Sequence, residues 1–163
     1  MKKSFLILVS LFFTTFLTAQ SIKDVKEAFK KSDYISVAKL TSELLQINAN
    51  DTLSLYYRAL STYESSLDLQ GTFNFTSNME RAWNDLSKAD SLGIANIEYE
   101  KALISSALSR AYFNNDQKQE YFSEIAVKNL RKLLKNSKYN TIPIKNLLRS
   151  NEVILERLKK KPL

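Results

Sequence analysis

Apolar residues recur at every third or fourth position along most of the chain, and strictly alternating runs are nearly absent. That period belongs to amphipathic helices rather than strands. Ile22, Val25 and Phe29 share one side of a first segment. Asp33 then stands as an N-cap before Tyr34, Val37, Leu40, Leu44 and Ile47. The run 48–51 breaks this stripe, and Asp51 can cap a helix carrying Leu55, Ala59, Leu60 and Tyr63. Residues 68–78 (DLQGTFNFTSN) read as a loop. Ser77 or Asn78 is then expected to cap a helix with Met79, Ala82, Trp83, Leu86, Ala89 and Leu92, closed by Gly93 in the left-handed conformation. Further helices are expected over about 96–113, 117–136 and 143–160, the last with Pro143 at its first position. The pattern predicts an all-α fold of about seven helices, with short connections that make neighbours antiparallel.

Two helix openings, Asp33-Tyr34 and Asn78-Met79, lie 45 residues apart. Subtracting the stretch 68–78 leaves the period of the tetratricopeptide repeat. NMERAWNDLSKADSLG resembles the second helix of such a repeat, with Ala82, Leu86 and Ala89 at the family's small, large and small packing positions. DYISVAKLTSELLQINAND has the same character. LYYRALSTYE is similar to a first helix, with Leu55 and Ala59 matching, although Arg58 and Thr62 stand where that register has Leu and Tyr. The resemblance covers roughly residues 22–137. It implies antiparallel helix pairs stacked as a short solenoid, with the segment from Pro143 to Lys160 as the capping helix such stacks require. It also implies a concave groove lined by first helices. In that register Tyr56, Leu60, Tyr63 and Glu64 face the groove, with Arg110 contributed by the next unit. Helix packing is the competing role for the tyrosines.

Composition narrows the chemistry. The 163 residues include no His and no Cys, and only two Gly and two Pro. Neither a histidine-assisted nucleophile nor a zinc site of Cys and His ligands can be assembled. Two isolated glycines, Gly71 and Gly93, exclude the glycine-rich phosphate loops. Glu98 and Glu100 are two apart, so a helix points them in different directions rather than pairing them. No catalytic, metal or cofactor site is indicated, and no small-molecule substrate is evident.

The N-terminus adds an address. Met1-Lys2-Lys3 precedes an apolar run from Phe5 to Leu17, and Thr18-Ala19-Gln20-Ser21 follows before the composition turns charged. That is the layout of a secretory signal peptide cleaved after Ala19, leaving a single domain over 20–163. The run is short for a bilayer span. With no cysteine for lipid attachment, the expectation is a periplasmic or secreted bacterial protein that is not a lipoprotein.

Charge is uneven along this domain. Residues 20–124 carry 11 Lys+Arg and 15 Asp+Glu, a net of −4, whereas residues 125–163 carry 11 and two, a net of +9. Lys128, Arg131, Lys132, Lys135 and Lys138 form either an anion-binding patch or the solvated face of an amphipathic helix. Phe73 and Phe75 form either an exposed apolar contact or a tucked edge of the core. The expected partner is a protein or peptide. An anionic envelope polymer or membrane surface is the alternative, and nucleic acid is a poor match for an exported chain. Circular dichroism of the purified protein should show well over half helix. A value below about half contradicts the all-α reading, which stands far above the ordinary helical share of about one third.

Overall fold

The computed structural model describes residues 21–139 and 141–160, so the expected signal segment 1–19 lies outside the described residues. Seven α-helices and no strands occur among the described residues. We label them α1 (described over 21–30), α2 (Tyr34–Ile47), α3 (Thr52–Ser65), α4 (Phe73–Ser91), α5 (Glu98–Ala111), α6 (Asp116–Leu134) and α7 (Ile142–Lys159). Short 3-10 turns at Leu67–Leu69 and Ser137–Tyr139 interrupt the two longest connections. No described helix is long and apolar enough to cross a membrane.

Local chemistry sets most boundaries. The side chains of Asp33, Asp51 and Asn115 accept the backbone N–H groups of Ser36, Ser54 and Lys118, at 3.1, 2.7 and 3.0 Å. Each satisfies a donor that a helix start leaves without an internal partner. Gly93, at φ 91°, ends α4. Its N–H reaches the Asp90 carbonyl and the next N–H, from Ile94, reaches the Ala89 carbonyl, the paired closure of a helix by a left-handed residue. The α1 end repeats this arrangement with Ser32 at φ 57°, its N–H on Phe29 and that of Asp33 on Ala28.

Three expectations need correction. Residues 73–78 are helical, so the connection into α4 is only 66–72. Thr72, not Ser77 or Asn78, caps α4 by accepting the Phe75 N–H at 3.2 Å. Asn78 instead donates from Nδ2 to Ser66 Oγ at 2.9 Å, tying α4 to the end of α3. Helix α7 begins one residue early, at Ile142, which puts Pro143 second. Its missing N–H costs nothing there, because first-turn donors have no intrahelical acceptor. Ile47 and Leu92 continue their stripes in sequence, yet both are exposed because each closes its helix beyond the packed turns.

Consecutive helices pack side by side across short connections, which makes them antiparallel. Helices α3, α5, α6 and α7 also reach the helix two places back. Tyr57 of α3 meets Phe29 of α1 edge-on, and Tyr56 of α3 bonds Glu100 of α5. Trp83 of α4 meets Phe122 of α6, and Asn151 of α7 bonds Ser106 of α5. Burial follows the same plan. Val25, Val37 and Leu44 form one cluster at the α1–α2 end, where Tyr57 packs against them. Met79, Ala82, Leu86, Ile104 and Leu108 belong to a central cluster, and Ala102, Leu130, Leu133 and Ile144 to a third.

Helix α5 is the most enclosed element. Ala102 and every residue from Ile104 to Ser109 are buried. Its Ala and Ser side chains allow a close approach to α6, where Ser109 and Ser123 hydroxyls lie 2.6 Å apart. Gln119 Nε2 donates to the Ser109 carbonyl at 2.9 Å, and its carbonyl oxygen accepts from Arg157.

Two substitutions test the helix ends. A Cβ at Gly93 meets nothing within 4 Å, so Gly93→Ala isolates the conformational cost of the left-handed backbone. It should lower stability by about 1 kcal/mol. Ser32→Gly should raise stability by about 0.5–1 kcal/mol. Urea melts of both variants read the opposite signs.

Candidate functional site

Sequence-predicted contact residues divide once the phase of α4 is fixed. Phe75 lies four residues before Met79 and shares its buried face, with 4% of its surface exposed. Phe73 is two residues earlier, rotated by about 200°, and is 86% exposed. Tucked and exposed are therefore both realised, one by each ring. Phe75 is corrected from contact residue to core residue.

Tyr63 is likewise buried, and burial raises its phenol pKa above the ordinary value, with Glu64 beside it adding to the shift and Arg110 opposing it. Tyr56 is half-buried. Its hydroxyl donates to Glu100 Oε1 at 3.0 Å, bridging α3 and α5. Burial pushes its pKa well up, and the Glu100 charge adds to this. Glu64 is half-buried next to Tyr63. Tyr56 and Tyr63 therefore serve the α3–α5 seam rather than an open surface. Glu98 and Glu100 do point apart, to Lys132 and Tyr56 respectively.

Arg58 and Thr62, which depart from the resembled pattern, are both held within the packing of the fold. Arg58 makes paired bonds, Nε and Nη2 each 2.7 Å from one Asp85 oxygen, between α3 and α4. Asp85 is 7% exposed, so the fork of the guanidinium replaces the water the carboxylate gave up. That contact holds Arg58 above its ordinary pKa. Thr62 is simply buried in the packed face.

Tertiary structure brings Phe73, Phe75 and Arg110 together. They line a groove of about 290 Å³ between the start of α4 and the end of α5, with Gly71 and Phe113. Phe113 is 64% exposed and was not singled out by sequence. Its signal was present: an aromatic residue placed beyond the last buried turn of α5, just before the 114–116 break. Arg110 is exposed and makes no ion pair among the described residues. The groove thus has Phe75 as its floor, two exposed rings at its rim, and a free guanidinium.

The basic residues separate too. Lys128, Arg131, Lys132 and Lys135 line a larger cleft of about 770 Å³ between α6 and α7, with Lys159. Arg131 pairs with Glu152 at 2.8 Å and Lys132 pairs with Glu98. Lys138 lies outside it, its ammonium 5.4 Å from the Tyr139 ring centre. Among the described residues, no three His, Cys, Asp or Glu side chains gather as a metal-binding group. No protein-family model, curated protein or solved structure matches the chain.

Two measurements test this electrostatic picture. Arg58→Ala leaves Asp85 buried and unpaired and should cost about 2 kcal/mol, whereas Lys118→Ala, at an exposed pair with Glu80, should cost under about 0.5 kcal/mol. The pH profile follows from the signs. Glu98 is held below its ordinary 4.5 chiefly by the Lys132 hydrogen bond, so its contribution exists above that value and is lost as pH falls. Tyr56, Tyr57 and Tyr63 are raised above 10.0, so theirs exists below that value and is lost as pH rises. With no histidine in the chain, melting temperature should stay nearly flat between those limits. A step near pH 6.5 contradicts this account.

Proposed function

We propose that the protein is a non-catalytic interaction or assembly module of the bacterial envelope, reached through the secretory segment at residues 1–19. In this reading the helices form a tetratricopeptide-like stack with α7 as its cap. The complete burial of Ala59, Ala82, Leu86 and Ala89 at the small and large positions supports that, as do the contacts between helices two places apart. The partner is a protein segment that lays an apolar side chain between Phe73 and Phe113 and offers a carboxylate to Arg110. One observation carries this: two large exposed rings, Phe73 in the first turn of α4 and Phe113 in the turn after α5, flank an arginine with no acidic partner. Exposed aromatics cost solubility unless they serve contact, and arginine beside them supplies directional donors.

An alternative reading has its own support. The net +9 of residues 125–163 and the cationic walls of the α6–α7 cleft suit an envelope structural protein that holds an anionic polymer, lipid surface or acidic partner. Salt separates the two. Immobilised protein should retain its envelope partner at 0.5 M salt on the first reading, because aromatic burial is not screened and only the Arg110 contact weakens. Phe73→Ser with Phe113→Ser should then reduce retention at least tenfold, with the melting temperature nearly unchanged because both rings are exposed. Retention that vanishes with salt and ignores the double substitution favours the alternative.

A further inference from the structure

The cleft between α6 and α7 occupies a definite place in the helix order. Helix α6 packs on α5 and reaches α4, and α7 packs on α6 and reaches α5. A helix laid against α6 and α7 together would take the next position in that series. The lining of the cleft comes from those two helices and Lys135, the C-cap of α6.

Its chemistry differs from the seams inside the fold. Val127, buried, and Leu155, half-buried, give a narrow apolar strip, and the walls are charged. Five cations and three carboxylates line it. Lys128, Lys135 and Lys159 make no ion pair among the described residues, and Lys128 and Lys135 lie two turns apart on one face of α6, about 10 Å. Glu124 and Glu156 also line it without an ion pair among the described residues, so three free cations stand against two free carboxylates and the wall keeps a positive excess.

We infer that this cleft docks an acidic amphipathic helix of a partner protein, its apolar stripe on Val127 and Leu155 and its carboxylates on Lys128, Lys135 and Lys159. This rests on the alternative reading above and names one occupant for it. The geometry favours a helix because the cleft is the continuation of a helix-packing series and has an apolar floor, which a uniformly charged polymer leaves unused. A second copy of the chain is a poor donor. The exposed face of α1 and the turn that follows carry Lys23, Lys26, Lys30 and Lys31 against Asp24 and Glu27, so like charge meets like.

The test uses the full mature chain and an 18-residue helical peptide of Leu, Ala and Glu, with Leu at every third or fourth position. Fluorescence anisotropy in 0.1 M salt compares it with polyglutamate of equal charge, and flotation compares phosphatidylglycerol vesicles. The peptide should bind at least tenfold more tightly than polyglutamate. Lys128→Glu with Lys135→Glu should weaken it at least tenfold, and the milder Lys159→Gln measurably. Lys145→Glu with Arg149→Glu, exposed on α7 outside the cleft, should change it less than twofold, as should Phe73→Ser with Phe113→Ser. Circular dichroism verifies that each variant is folded. Polyglutamate or vesicles binding as well as the peptide overturns the inference while leaving the broader basic-surface reading standing. Equal effects of the cleft and control pairs also overturn it. Binding of neither peptide nor polyanion at 100 µM removes both.

Discussion

Close contact along α5 is the constraint on which the remaining structure depends. A chain without cysteine has no covalent brace, so its order must come from burial between helices. Helix α5 is enclosed almost all round, and its sequence ALISSALSR alternates small residues with Ile104 and Leu108. Small side chains let α6 approach, and the serine hydroxyls that this buries find partners, Ser109 with Ser123 and Ser106 with Asn151. Larger residues there would force the helices apart, and unpartnered hydroxyls would carry the full cost of lost hydration. The seam is therefore specified by polar as well as apolar contacts.

Both candidate surfaces inherit their positions from that seam. Arg110 and Phe113 sit at and just beyond the last turn of α5, and the packing of α4 on α5 sets Phe73 opposite them. At the other side, α6 carries one wall of the basic cleft because its inner face, Ala126, Leu130 and Leu133, is committed to the core. An amphipathic helix that buries one side must present the other, so the lysine stripe is partly a by-product of folding. What distinguishes it from an ordinary solvated face is the second wall supplied by α7 and the excess of cations over carboxylates.

Helix identity was legible where the decisive chemistry is local. Asp33 and Asp51 cap the helices they precede, and Gly93 needs its left-handed backbone; none of these depends on distant residues. The start of α4 was not legible. FNFTSN offers short polar residues that compete with helical hydrogen bonding, and the Thr72 cap prevails because Phe75 and Met79 are seated in the central cluster. That one boundary error hid the opposite fates of Phe73 and Phe75, since a residue's face cannot be assigned before its helical phase. The α3 tyrosines show the complementary limit. Tyr56 and Tyr63 suit recognition by type, yet Glu100 and the neighbouring helix claim them, which is a tertiary fact. Phe113 joined Phe73 and Arg110 only through the meeting of two helix ends distant in sequence.

The central claim is that the rim formed by Phe73, Arg110 and Phe113 is where a partner protein lands. Site-specific photocrosslinking in cells that produce the protein tests it directly. A photoreactive side chain at position 113 should yield one discrete protein adduct, and the same group at exposed Ile47 or Val153 should not. Adding Arg110→Glu to the position 113 probe should remove the adduct. Equal labelling from all three positions, or an adduct at 113 indifferent to Arg110, would contradict the account.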